Sequence, residues 1–325
     1  MTIRRTIATK IAAKVLTLAE AATLILLLII MFLSYFVAER VTHEKFVEVP
    51  GGSLSAIIAR FAESGIDVGA ADKYLIRFLG EAKRGYIDMG GEDLTRLDFY
   101  FALIAGRQAY DEIALIPGET TLVLMDQIAE KLTLDPAKLL KSYRKFAPLE
   151  EGVLIPETYR VPKKIDEDAL MNLLVQTAMK IHKDRAIKAF GSYDEKQWFR
   201  IVTIASIVQK EAASNGEMPL VASVIYNRLA KNMRLEMDGA LNYGYYSHTR
   251  VTAQRIRADE SDFNTYKKRG LPPIPVAIAS TDAVNAALKP AETNYFYFVR
   301  SANDPTRHDF STNYNDHLKN IRGEK

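Results

Sequence analysis

Between residues 197 and 213 the side chains sort by helical spacing into distinct faces, and a carboxylate continues the apolar one. Ile204, Ile207 and Glu211 stand at i, i+3 and i+7 with Val208 beside them, whereas Thr203, Ser206 and Lys210 form a polar stripe. A carboxyl held against apolar side chains loses solvation of its charged form, and its pKa rises. A general acid working near neutral pH requires that shift. Spacing alone is met as readily, and more often, by a carboxylate that lies past the buried turn and faces water or a neighbouring cation. Asp238 and Glu217 are the candidates for a second carboxylate, which a hydrolase would need to activate water.

Other chemistries lack their residues. His43, His182, His248, His308 and His317 show no HExxH spacing, and neither a GxSxG elbow nor a GxxxxGK loop occurs. Zinc peptidase, serine hydrolase and nucleotide hydrolase readings drop out. Without cysteine there is no disulfide framework and no thiolate metal site. A net charge of +3 with no long basic run beyond the N-terminus gives no reason to expect nucleic acid.

The elements that must position Glu211 begin with an anchor. Residues 21–38 (AATLILLLIIMFLSYFVA) are uncharged, and Leu16 and Leu18 extend the run. A hydrocarbon core of about 30 Å needs roughly 20 helical residues, so residues 16–38 are read as an uncleaved transmembrane helix. Arg4, Arg5, Lys10 and Lys14 precede the run, and a mixed flank follows it (Glu39, Arg40, His43, Glu44, Lys45). The positive-inside rule puts a tail of residues 1–15 in the cytoplasm and the rest outside, on the periplasmic side of a cytoplasmic membrane.

Residues 39–147 read as a small α+β module. A strand at 46–49, a Pro50-Gly51-Gly52 turn and a helix at 53–64 with Leu54, Ile57, Ile58 and Phe61 on one face stop at Gly65. A similar pattern returns at 115–132, with Leu124, Met125 and Ile128 in the equivalent places, and a third helix-like stretch lies at 94–105. Residues 148–162 mark a boundary, followed by helices at 166–189 and within 194–231. Residues 235–275 form a long Gly-, Asn- and Tyr-rich loop of the kind that is often functional, and 295–299 reads as a strand. The fold expected is α+β, with residues 148–325 as a mostly helical catalytic domain carrying a small sheet.

Residues 204–227 (IASIVQKEAASNGEMPLVASVIYN) strongly resemble the endolytic murein transglycosylase, or YceG-like, family. Further blocks agree in order: 151–159 (EGVLIPETY) is similar to an EGYLFPDTY-type segment, followed by 233–244 (MRLEMDGALNYG), 264–275 (NTYKKRGLPPIP), and 294–298 with His308 and Phe310. The anchor and a LysM-like module also fit the family layout. The family's catalytic residue is the second acidic position of an ASIVEKE-like motif, which falls on Glu211, and the first acidic position is Gln209 here. Glu236-Met237-Asp238-Gly239 replaces a pattern nearer QSDP, and Ile274-Pro275-Val276 replaces GPI.

The resemblance implies an enzyme without cofactor or metal that cleaves the glycosidic bond between N-acetylmuramic acid and N-acetylglucosamine in nascent peptidoglycan, leaves a 1,6-anhydro end and limits strand length. Its partners would be glycan strands, the cytoplasmic membrane and peptidoglycan synthases. Tyr226, Tyr243 and Tyr266 would offer faces to sugar rings, and Glu157, Asn227, Asp238 and Asn264 would bind polar groups. A muramidase-type hydrolase and a non-catalytic glycan-binding scaffold are the alternatives.

Overall fold

The computed structural model describes residues 2–324, with side chains described from Lys14 onward. Met1 and Lys325, and the side chains of Arg4, Arg5 and Lys10 in the basic flank, lie outside the described residues. Helices cover about half of the chain, and its contacts divide it into two units, Met1–Tyr110 with Pro162–Lys164 and Asp111–Val161 with Ile165–Lys325.

The smaller unit opens with α1 (Thr2–Ala38), whose stretch Lys14–Ala38 is long and apolar enough to cross a membrane and buries none of its hydropathic window. No linker follows it. β1 (Arg40–Thr42) starts two residues after α1 ends, and β2 (Phe46–Val49), α2 (Leu54–Glu63), α3 (Asp72–Leu79), β3 (Gly85–Asp88), β4 (Asp93–Thr95), α4 (Arg96–Ala105) and β5 (Arg107–Gln108) complete the unit. β1 pairs with β4, and β2-β3-β5 form an antiparallel sheet. Ser53 caps α2 through its hydroxyl, and Gly65, at φ +81°, lets the chain turn so that the Ile66 N–H reaches the Phe61 carbonyl. The apolar face of α2 supplies Ile57, Ile58 and Phe61 to a core shared with Val47, Ile87, Phe99 and Leu103.

The larger unit contains, apart from the end residues Tyr110 and Pro162, β6 (Tyr110–Ala114), α5 (Thr121–Leu132), α6 (Pro136–Phe146), β7 (Thr158–Pro162), α7 (Glu167–Phe190), α8 (Glu195–Glu211), α9 (Met218–Ala230), α10 (Asp238–Leu241), α11 (Ala253–Ala258), α12 (Thr281–Leu288), β8 (Tyr297–Arg300), β9 (His308–Ser311) and α13 (Tyr314–Arg322). β6 pairs with β7, and β8 with β9. α8 is the central element, packed on α9, α10 and α12 with Trp198, Ile204, Ile207 and Val208 fully buried. Burial extends to its polar stripe. Thr203 and Ser206 are inside rather than at the surface, because their hydroxyls bond back to the helix carbonyls of Phe199 and Thr203, and Ser206 also accepts the Val276 N–H.

The second helical pattern, at 121–132, differs from the sequence reading in its neighbours. Leu124, Met125 and Ile128 are buried like their counterparts in α2, yet they join Leu139, Tyr143 and Trp198 in the core of the larger unit. Periodicity gives a helix its buried face. It does not name the core that receives the face.

Candidate active site

Glu211 is the last residue of α8, and the Ala212 N–H still bonds to the Val208 carbonyl, so the helix holds its geometry up to the carboxyl. α10 begins opposite it. The Gly239 N–H donates to Glu211 Oε1 at 2.6 Å. A Cβ at position 239 would stand 2.6 Å from the Lys210 Cβ and 3.0 Å from Glu211 Oε1, so this approach of backbone to carboxyl needs glycine. Removal from water raises the Glu211 pKa, the Gly239 bond opposes the rise and the charge of Asp238 adds to it, leaving the carboxyl pushed up to about 7. A group titrating there gives and recovers a proton readily at neutral pH.

Asp238 itself is exposed, and its Oδ1 accepts the Tyr266 hydroxyl at 2.7 Å. Burial and the Asp238 bond raise the Tyr266 pKa, which keeps that hydroxyl a donor. The turn before Asp238 is strained at Glu236, whose φ of +53° is the left-handed region for a residue with a side chain. Two neighbours over-determine it. Buried Arg228 donates to the Glu236 carboxylate at 3.1 Å and to the carbonyls of Arg234, Leu235 and Phe296, while Thr265 accepts the Met237 N–H on its hydroxyl and the Glu236 N–H on its carbonyl.

Lys210, the residue before Glu211, belongs to a second polar cluster. Its Nζ donates to the Ser247 carbonyl and hydroxyl at 3.2 and 2.8 Å, and the Ser247 hydroxyl donates to Glu119, which also lies 3.0 Å from His248 Nε2. Glu151 is buried and accepts the Thr121 N–H and hydroxyl, each at 2.8 Å, and its neighbour Gly152's N–H at 2.9 Å. Burial pushes its carboxyl up to about 7 against those bonds and the nearby Lys210 charge. Glu217, one of the two candidates for a second carboxylate, is taken up elsewhere. It accepts the His308 backbone N–H at 2.7 Å and faces the ring Nδ1 at 2.8 Å, and these contacts hold it below its ordinary pKa although burial alone would raise it.

The structure thus brings together Glu211, Asp238 and Tyr266. Tyr243 lies on the same long loop, stacked on Phe263 at 4.5 Å with its hydroxyl donated to Asp259. The polar atoms of three other candidates are engaged within the protein. Tyr226 donates to the Ala287 carbonyl, Asn227 to the carbonyls of Thr293 and Tyr295, and fully buried Asn264 to those of Ile256 and Asp259. Glu157 is exposed and near the charge of Arg185. A cavity of about 430 Å³ runs along the first half of α8, between Phe199, Arg200 and the 271–275 loop, and holds none of these residues.

Sequence reasoning did not single out Gly239, Arg228 or Glu151. Gly239 and Glu151 do lie inside the family-like blocks 233–244 and 151–159, and that was their signal. Arg228 carried none.

A model of the YceG-like family matches residues 47–323. The chain belongs to the YceG-like family. A Bacillus subtilis protein named endolytic murein transglycosylase is 28% identical over 291 residues, covering 79% of this chain and 79% of that protein. A Streptococcus pneumoniae protein of the same name is 29% identical over 179 residues, 53% of this chain and 31% of its own length. The chain therefore spans under a third of the pneumococcal protein in that match. The solved structure of a YceG-like protein from Listeria monocytogenes superposes with a TM-score of 0.56 at 24% identity, covering 86% of this chain and 98% of that one, which shows a common fold.

Proposed function

We propose that this YceG-like chain is an endolytic peptidoglycan transglycosylase with Glu211 as its acid and base. The observation that carries the reading is the half-buried carboxyl at the end of α8 that accepts the Gly239 N–H, with desolvation pushing its pKa up to about 7. Protonated Glu211 gives its proton to the glycosidic oxygen as the bond from muramic C1 breaks. The carboxylate left behind then takes the proton of the muramoyl 6-hydroxyl as that oxygen closes on C1. Atoms balance without water, and one carboxyl serves both steps. Closing an internal hydroxyl on C1 replaces a bimolecular attack by an intramolecular one. Asp238 and Tyr266 border the reacting centre, with Asp238 exposed to substrate and adding to the Glu211 shift. No step calls for a metal or organic cofactor.

A muramidase-type hydrolysis keeps one specific support, the exposed carboxylate of Asp238 beside Glu211; Glu217 is committed to His308. Product masses separate the two reactions. Digests of purified peptidoglycan by the full chain in detergent should yield 1,6-anhydro-muramoyl ends, reduced by about 10²-fold or more in Glu211→Gln. Reducing ends, one water heavier, would establish the hydrolase. Glycan binding without cleavage by the wild type would establish a scaffold.

The apolar stretch Lys14–Ala38 supports a single-pass anchor, with the N-terminus in the cytoplasm and the residues after Ala38 on the outer side. An enzyme so tethered reaches glycan close to the membrane, near the synthases, and cuts nascent strands. A version released from its anchor that restored normal strand lengths at native abundance would contradict this role.

A further inference from the structure

The smaller unit carries an aromatic patch that its own core does not use. On α3, Tyr74 and Phe78 stand one helical turn apart and are 76% and 87% exposed, and Phe101 on the adjoining α4 is 47% exposed. Large aromatic side chains this open to water on two packed helices mark a contact surface. The segment that bears Tyr74 and Phe78 is basic as well, with Lys73, Arg77, Lys83 and Arg84 against Glu81 between residues 73 and 84.

What adjoins α3 is the end of the apolar helix. Buried Arg96, at the start of α4, donates to the Asp72 carboxylate at 2.9 and 3.1 Å, to Glu39 Oε2 at 2.8 Å and to the Asp67 carbonyl at 3.0 Å, and its guanidinium lies 4.7 Å from the Phe36 ring centroid. Phe36 and Glu39 flank the last turn of α1, and Asp72 is the first residue of α3. One desolvated cation therefore pins the start of α3 to the end of α1. Because β1 follows α1 without a linker, the unit cannot swing away on a tether.

The distances are short. At about 1.5 Å per residue the 25 residues Lys14–Ala38 span roughly 37 Å, more than a hydrocarbon core of about 30 Å, so Tyr35, 71% exposed, and Phe36 fall at the headgroup level. Phe78 lies six residues along α3 from the Arg96 contact, about 9 Å, comparable with the headgroup layer itself. Aromatic rings favour that layer, and basic side chains near an anionic surface are attracted to it.

We propose that α3 is a membrane foot: Tyr74, Phe78 and Phe101 seat in the headgroup layer beside the anchor, with Arg77 and Arg84 on anionic lipid headgroups. The inference rests on the reading of α1 as a membrane span. The foot holds the smaller unit against the bilayer surface.

The chain has no cysteine, so a single one can be placed and labelled with an environment-sensitive fluorophore in the full-length protein. Phe78→Cys and, separately, Leu28→Cys would be reconstituted one copy per nanodisc containing anionic lipid, with spin-labelled quenchers at the headgroup or at the acyl-chain end. The expected result is a blue shift at position 78 with quenching mainly from the headgroup, and quenching at position 28 mainly from the chain end. Quenching at 28 without quenching at 78 would overturn the foot and leave the anchor standing. No quenching at 28 would remove the anchor and the foot with it. If position 78 shifts only when two copies share a disc, a second copy covers the patch and the lipid assignment is wrong.

Discussion

Glu211→Gln should stabilise the protein, by an amount that grows with pH. The fold holds the Glu211 carboxyl at about 7 against an ordinary value of 4.5, so it favours the protonated form. The wild type therefore keeps the full contribution of this group below about pH 4.5, loses it as pH rises toward 7, and gains nothing back above. The shift of about 2.5 units at 1.36 kcal/mol each gives a cost on the order of 3 kcal/mol at pH 8 and under about 1 kcal/mol at pH 5. Glutamine keeps an acceptor for the Gly239 N–H and cannot ionise, so it escapes the cost. Thermal unfolding of the full chain in detergent reads the difference through Trp198, the single tryptophan, which is fully buried in the unit that holds Glu211. With a few degrees of melting temperature per kcal/mol, the variant should melt roughly 6–12 °C above the wild type at pH 8 and within about 3 °C of it at pH 5. The raised carboxyl of Glu151 is present in both proteins and cancels. A gap equal at the two pH values, or a less stable variant at pH 8, would show that the fold does not hold Glu211 protonated and so does not poise it as a general acid.

Three further outcomes are expected. Gly239→Ala drives a Cβ into Lys210 and Glu211, so it should cost about 1–3 kcal/mol of stability and, by displacing the acid, about 10²-fold in glycan cleavage, measured by product mass spectrometry. Asp238→Asn removes a charge that raises the Glu211 pKa; the alkaline limb of the cleavage rate against pH should move to lower pH, and an unmoved limb would remove Asp238 from the acid's surroundings. Buried His182 accepts the Trp198 indole N–H on Nδ1 and donates from Nε2 to the Val153 carbonyl, and burial holds its pKa down at about 4. That contribution to stability is full above about pH 6.5 and is lost as pH falls toward 4, by about 3 kcal/mol in total; denaturant titrations at several pH values should show it in the wild type and not in His182→Gln.

Properties carried by one run of chain are legible in the order of residues. The apolar run and its basic flank depend on composition alone. Strand 46–49, the helix capped by Ser53 and stopped by Gly65, and the buried faces at Ile57, Ile58 and Phe61 and at Leu124, Met125 and Ile128 follow from period and local turn chemistry. Glu211 stands out for the same reason, as a carboxylate at the end of an apolar stripe on one helix. The roles of Tyr226, Asn227 and Asn264 are not legible there, because an amide or hydroxyl that braces a carbonyl and one that meets a sugar are the same residue type in sequence.

Tertiary structure decided which pieces meet. The Glu211 to Gly239 bond joins positions 28 apart, and the Thr121 to Glu151 bond joins positions 30 apart. Separation along the chain likewise hides the bracing of the strained turn at Glu236 by Arg228, and the assignment of 121–132 to the core of Trp198. Sequence by itself determined the elements and offered Glu211 as a candidate acid. Whether that carboxyl is kept from water, and so holds its proton at neutral pH, depends on what α10 and its loop bring against the end of α8, since desolvation is set by every neighbour in space and not by spacing along one helix.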